Sequence, residues 1–376
     1  METSEFLLNP RRDEKARFRP SSHAAMEFHR RLPAYRPTRL LRLDVLAEEL
    51  GLERLWIKDE SNRLGLPAFK FLGVSWAAYR ALVDRLDAEP AWRNLDDLRR
   101  SFAPLRPLSL VTATTGNHGR AVARVASLFG LTARIFVPAQ APADRVAAIA
   151  SEGAQIVNGT GSYDDAVEQA ANWADGQADE QVLLLSDTAP TTEDRVSNWI
   201  SEGYSTLFWE TEDQLSTAGE MGPDTVLIQI GAGSLALAAA THFRRQGVPF
   251  ETTLIGVEAA SAACFQASAR AGAFRTIQSD RDSQMFCLNV GVPSRSGIDT
   301  ILKGFDAFVA IGDAGLGPAS RALANSGVVA GPTGAAGLVG AREALPWLSA
   351  RESRRVLVIN TEGAADPTGY AHALLA

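Results

Sequence analysis

The sequence predicts an α/β fold, with largely parallel sheets flanked by helices, and three observations carry that reading. Short β-rich runs alternate with longer alanine- and arginine-rich stretches along the 376 residues, the pattern of repeated βα units. Several apolar runs end in a small-residue loop that opens a helix, the junction at which open α/β sheets hold their ligands. A hydrophobic content of 46% supplies a substantial core, enough for two domains or one large α/β unit.

Aliphatic and β-branched runs place strands, in order, at Leu55 to Lys58, Leu108 to Ala113, Ala133 to Val137, Gln155 to Val157, Val182 to Leu185, Thr225 to Ile230, Thr253 to Val257, Phe308 to Ile311 and Val356 to Ile359. Helices follow most of them, at Phe71 to Leu86, His118 to Phe129, Pro142 to Ser151, Ser162 to Gly176, Leu235 to Gln246, Ala260 to Ala269 and Ala335 to Leu345. Between Glu89 and Pro107 the chain is rich in proline and charge, yet Trp92, Leu95 and Leu98 make it a packed helical excursion rather than a free linker. No internal repeat or low-complexity tract interrupts the pattern.

Five motifs carry chemistry. In the first, Asp59-Glu60-Ser61 leads through a short loop to Ala68-Phe69-Lys70, which sets an amine nucleophile among Ala68, Phe69, Phe71 and Leu72, where most lysines would be out of place. Next, Thr114-Thr115-Gly116-Asn117-His118-Gly119 joins an apolar strand to a helix, so its amides form an anion site; an ordinary threonine-capped turn is the competing reading, and His118 reads as structural before catalytic. Asp187 projects from the carboxyl end of a strand as a proton-transfer group or as a helix cap. Gly231-Ala232-Gly233-Ser234 opens an alanine-rich helix and has the backbone freedom to wrap a phosphate. A dinucleotide fingerprint competes there, although Ala236 stands where its last glycine belongs. Finally, Asn360-Thr361-Glu362-Gly363 is a polar turn after a strand. Beside these five, Gly331-Pro332-Thr333-Gly334-Ala335-Ala336-Gly337-Leu338 begins a helix whose small residues serve tight packing first, with the lining of a ligand cleft as the competing reading.

Bulk properties narrow the partners. With 37 basic against 44 acidic residues the net charge is −7, which offers no field for nucleic acid. Cys264 and Cys287 are too few for a disulfide framework and have no metal-type spacing. The first 31 residues carry seven Lys and Arg side chains from Arg11 to Arg31 without an apolar signal core, and no run is long enough to span a membrane; a cytoplasmic protein is expected.

In this order the motifs resemble those of the diaminopropionate ammonia-lyases, within the fold-type II pyridoxal-phosphate enzymes that include threonine dehydratase, serine racemase and cysteine synthase. The resemblance spans nearly the whole chain. It implies two lobes with pyridoxal 5'-phosphate in the cleft between them: a small domain of residues 92–187 inserted into a large one built from 1–91 and 188–376. It implies that Lys70 bonds the cofactor aldehyde, that Asn117 meets the ring hydroxyl, and that Gly231, Ala232, Gly233 and Ser234 hold the phosphate. Thr361 is placed beside the pyridine nitrogen, with Glu362 as its rival. The substrate carboxylate falls to Thr114, Thr115, Gly116, Asn117 and His118, and proton transfer to Lys70 and Asp187.

The implied reaction is elimination of ammonia from a small amino acid, 2,3-diaminopropionate first, and a homodimer is the base-rate assembly. Two departures stand out. Thr115 replaces an aspartate that the lyases use as a second acid/base for the D-isomer, and Arg39 interrupts the usual Pro-Thr-Pro-Leu. Because Thr115 resembles the dehydratase loop, a serine or threonine dehydratase or a β-replacement enzyme stays open, as does a catalytically silent amino-acid-binding protein.

Overall fold

A computed structural model describes residues 4–114, 116–178, 181–186, 188, 191–248, 252–278, 283–351 and 354–375. Eleven strands are seen among them: β1 (Glu5–Leu8), β2 (Arg39–Arg42), β3 (Arg54–Asp59), β4 (Ser109–Ala113), β5 (Thr132–Val137), β6 (Gln155–Asn158), β7 (Val182–Leu184), β8 (Thr225–Gln229), β9 (Thr253–Ala259), β10 (Ala307–Ile311) and β11 (Arg355–Asn360). They form two sheets. The larger runs β1-β10-β9-β8-β11-β3-β2 and the smaller β6-β5-β4-β7.

Every pairing in the small sheet is parallel. The large sheet is parallel through its five central strands. Its edges, β1 and β2, pair antiparallel. Both faces of the large sheet are covered, and successive residues serve opposite cores. Trp56, Val226, Ile228, Leu254, Phe308 and Leu357 pack on one side, and Ile57, Leu227, Ile255, Val309 and Val358 on the other. This two-residue alternation explains why the strands read as unbroken apolar runs.

All nine expected strands occur, with ends shifted by one or two residues. The helices differ more. The run expected at Ala260 to Ala269 splits into a 3-10 turn, Ala260–Ala262, and a helix, Cys264–Ala271. The helix expected to stop at Leu345 begins at Pro332 and continues through Pro346 to Ala350. Between Glu89 and Pro107 a short helix, Leu95–Ser101, forms, and Trp92 and Leu98 are buried in the main core.

The longest helix, Arg195–Thr217, lies outside the expected set. It crosses the Lys70–Val83 helix at a pair of glycines. A methyl on Gly73 would stand 2.7 Å from the Ile200 carbonyl oxygen, and one on Gly203 2.5 Å from that of Leu72. Backbone touches backbone there, and this contact sets the tilt of the helix whose first residue is Lys70.

Candidate functional site

A cavity of about 530 Å³ is lined by Ala68, Phe69 and Lys70, by Thr114, Gly116, Asn117 and His118, by Gly231 to Leu235, by Phe286 to Val290, and by Thr333, Thr361 and Glu362. The size suits a small-molecule site. Four separate motifs of the sequence therefore meet on one space, which lies at the carboxyl ends of the parallel strands of both sheets. Thr115 and Asp187 fall outside the described residues; their neighbours Gly116 and Thr188 line the cavity.

Lys70 is held by its surroundings. β3 and β11 run side by side with Asp59 opposite Asn360. Beyond them Ala68 bridges to Glu362, and the Gly363 amide donates to the Pro67 carbonyl at 2.9 Å. The ammonium nitrogen of Lys70 stands 5.4 Å and 5.9 Å from the ring centres of Phe69 and Tyr204. Behind this loop lies a buried ionic cluster. Arg63 donates to Glu60 at 2.6 and 2.8 Å and to Glu210 at 2.7 and 2.9 Å. Lys58 donates to Glu210 at 2.8 Å. Burial opposes ionisation of Glu210, but Arg63 and then Lys58 outweigh it and hold the carboxyl down at about 2. Two cations and two carboxylates thus clamp the strand end from which the lysine loop departs.

The anion loop is folded as its sequence requires. The Gly116 amide donates to the Thr114 hydroxyl at 3.1 Å, and a methyl on Gly119 would collide with Thr114 at 2.2 Å. Asn117 and His118 open the helix Asn117–Phe129, whose first amides lack intrahelical partners. His118 Nε2 lies 2.9 Å from the Leu185 carbonyl oxygen and so acts as a donor, tying the loop to the end of β7. Asn117 Nδ2 donates to Glu362 Oε2 at 2.6 Å. The same carboxylate oxygen accepts from Cys287 Sγ at 3.5 Å. Burial, then the charge of Glu362, pushes the Cys287 thiol up to about 12, so it stays protonated.

Across the cavity, Gly233 has φ of +110° as it caps the helix Ser234–Phe243, a conformation that favours glycine. A methyl there would meet Phe265 at 2.5 Å, and one on Gly231 would meet the Cys287 carbonyl oxygen at 2.5 Å. The Thr361 hydroxyl donates to the Thr333 carbonyl at 3.4 Å. Thr333 and Gly334 lie at the start of the Pro332–Ala350 helix, where a methyl on Gly334 would stand 2.1 Å from Asn360 Oδ1. The small residues of that segment are packing devices that bring its first turn against β11.

These features fit the phosphate-bearing aldehyde cofactor that the motifs imply. Among the described lining residues Lys70 and Arg145 set two cations against the one carboxylate of Glu362, a positive excess suited to a dianion. Gln229 Oε1 and Thr333 Oγ1 are buried without a partner, beside the cavity they line. Sequence reasoning passed over Gln229, Arg145 and Cys287. Gln229 ends β8 and donates to the Ile359 carbonyl at 2.7 Å, so it joins two strand ends under the cavity floor. A polar residue closing an apolar strand two residues before Gly231 is the signal that marks it.

Comparison with known proteins agrees with this geometry. The family model described as pyridoxal-phosphate dependent enzyme matches residues 31–362. The diaminopropionate ammonia-lyase of Escherichia coli K12 is 31% identical over 361 residues, covering 92% of this chain and 89% of that protein. The diaminopropionate ammonia-lyase of Salmonella typhimurium is 31% identical over 370 residues, covering 93% and 90%. The crystal structure of the Escherichia coli enzyme in complex with D-serine superposes with a TM-score of 0.88 at 28% identity, over 99% of this chain and 97% of that one. The chain belongs to the pyridoxal-phosphate-dependent enzymes, within the diaminopropionate ammonia-lyase family.

Proposed function

We propose that this protein eliminates ammonia from 2,3-diaminopropionate, giving pyruvate and a second ammonia once water has hydrolysed the enamine product. The observation that carries the reading is the convergence of the lysine loop, the two helix-start loops and the Thr361-Glu362 turn on one cavity. When bound, pyridoxal phosphate supplies an aldehyde that captures an amine and a ring that accepts electrons from the α-carbon.

In this reading Lys70 provides the amine for the aldehyde, and after yielding it to the substrate carries a proton at its Nζ. The amides and hydroxyl of Gly231 to Ser234 hold the phosphate. Asn117, which donates to Glu362, would meet the ring hydroxyl, and Thr361 would stand beside the pyridine nitrogen, with Glu362 as its rival. A neutral hydroxyl there moderates the electron sink, which suits elimination. Asp187 protonates the departing β-ammonia or receives the α-proton, because a poor leaving group needs a proton donor. Thr114, Thr115, Gly116 and Asn117 bind the carboxylate, and His118 braces that loop on Leu185.

The near full-length match to the lyases favours this reaction over a dehydratase, a β-replacement enzyme or a silent binding protein. The proposed domains are 1–91 with 188–376, and 92–187; the split of the strands between two sheets supports them. Among the described residues no helix is long and apolar enough to cross a membrane. A cytoplasmic homodimer is the proposed state, checked by light scattering.

The test is a visible absorbance scan with ammonia and pyruvate assays on both diaminopropionate isomers, serine and threonine. Lys70→Ala is expected to abolish the visible band and the ammonia release. Production of 2-oxobutyrate from L-threonine with no pyruvate from either diaminopropionate isomer would overturn the proposal.

A further inference from the structure

The short helix Ala143–Ala150 buries two residues one turn apart, Arg145 and Ile149, and leaves the rest of its surface partly or fully exposed. Ile149 joins the main apolar core. Arg145 does something else. Its side chain is only 8% exposed, and it lines the cavity. The guanidinium carbon lies 4.6 Å from the centre of the Phe286 ring, and Nη1 stands 3.2 Å from where a methyl on Gly116 would be. A charged group is thus wedged between an aromatic face and the start of the anion loop.

Among the described residues its charge has no bonded carboxylate. The buried cations elsewhere are paired: Lys58 with Glu210, Arg63 with Glu60 and Glu210, Arg244 with Asp306. Among the described residues no acidic side chain bonds to the Arg145 guanidinium, and Asp144 accepts only from the Arg145 backbone amide. Its guanidinium faces the cavity as a cation that no described carboxylate neutralises, so it is placed to meet an anionic ligand there.

Two anions reach this cavity in the reading given above, the cofactor phosphate and the carboxylate of the amino acid. The phosphate loop, Gly231 to Ser234, belongs to a helix that follows the large sheet, whereas Arg145 touches the other loop, at Gly116. We propose that Arg145 is a specificity residue for the substrate carboxylate, acting with the amides at the start of the Asn117–Phe129 helix. The guanidinium attracts only one group of 2,3-diaminopropionate. It draws the carboxylate and repels the β-ammonium, so it selects the end of the molecule that enters this side of the cavity. Phe286, 44% exposed, screens the pair from water on the outer side and strengthens it.

This inference rests on the amino-acid-cleaving role proposed above, and its test needs no turnover. Alanine has no β leaving group, and alaninamide lacks the carboxylate. Each is titrated into the holoenzyme and followed by the visible spectrum. The wild type is expected to prefer alanine by at least about tenfold, the value of one charge-assisted hydrogen bond. Arg145→Met should weaken alanine by roughly 10- to 100-fold while changing alaninamide by less than about twofold. Arg145→Lys, which keeps charge and loses the fork, should fall between.

Equal affinity of the wild type for the two ligands overturns the proposal without any variant. So does alanine binding within about twofold of wild type in a folded Arg145→Met protein, or a matched loss of both ligands. A selective loss of cofactor from that variant, measured by cofactor titration, would assign the arginine to the phosphate and equally overturn it. A wild type that prefers alanine yet releases no ammonia from diaminopropionate would end the lyase reading and leave Arg145 in its place.

Discussion

In the function proposed above, Thr115 is the residue on which stereochemistry should turn. The lyases that this chain resembles carry an aspartate at the position, and a threonine hydroxyl does not act as a base near neutral pH. Wild-type protein is therefore expected to favour L-diaminopropionate. Thr115→Asp should raise kcat/KM for the D-isomer by at least about tenfold while leaving the L-isomer within a few-fold. Pyruvate formation with each pure isomer checks this, and an unchanged D-to-L ratio would show that the aspartate is not what the D-isomer requires. At this scale the sequence led to the cavity through the described motif residues. Lys70, Gly116, Asn117, Gly233, Thr361 and Glu362 all line the cavity. Arg145 was not legible, since a lone arginine in an alanine-rich helix looks like solvent-facing charge. Only its place one turn before Ile149, on the buried side, marks it.

Among the elements, the crossing of the Lys70–Val83 and Arg195–Thr217 helices matters most for the site, because it fixes the helix that starts with the lysine. The long helix escaped sequence reasoning for a physical reason. Its buried side carries Ser197, Ser201, Ser205, Thr206, Glu210 and Thr211, which erase the apolar period that would have revealed it. Several of these hydroxyls donate back to the helix's own carbonyls, Ser201 to Ser197 and Thr211 to Leu207. Glu210 enters the ionic cluster instead. The central strands were legible because burial on both faces writes them as apolar runs. The edge strands β1 and β2 were not, since their end residues are exposed. Gly203→Ala tests the crossing. A methyl 2.5 Å from the Leu72 carbonyl oxygen must push the helices apart. The expected loss is about 1–3 kcal/mol in urea unfolding, together with a shift of the visible cofactor band as Lys70 moves. A variant as stable as wild type with an unmoved band would show that the contact yields freely.

For the molecule as a whole, charges buried in the interior make stability depend on pH. His29, on the helix Ala24–Arg30, has Nδ1 2.8 Å from the Thr206 hydroxyl and Nε2 3.0 Å from the Leu72 carbonyl oxygen, so one ring joins three helices. Burial, then the charge of Arg63, lowers its pKa to about 3, and the ring is neutral in the native protein. Burial also lowers the pKa of His242. In the unfolded chain a histidine titrates near 6.5, so between that pH and about 3 the unfolded state binds a proton that native His29 refuses. The contribution of His29 is therefore complete above that upper value and is lost as pH falls, by up to about 1.4 kcal/mol per pH unit. Glu210 adds a second leg lower down. Its native pKa is held at about 2 against an ordinary 4.5, so further stability is lost only below the latter. The consequence is an acid transition in two stages, histidines first and the ionic cluster after. Urea midpoints measured at intervals from pH 7 to pH 2.5 follow both stages; Glu258, whose carboxyl burial pushes up to about 8, gains stability as pH falls toward 4.5 and offsets part of the histidine loss in the wild type. In His29→Gln, whose amide keeps a donor and an acceptor, the upper slope should shrink by nearly one proton while the fall below the carboxylate range persists. An unchanged upper slope in that variant would mean that His29 takes up its proton in the folded protein, and that the three-helix junction is open to water at mildly acid pH.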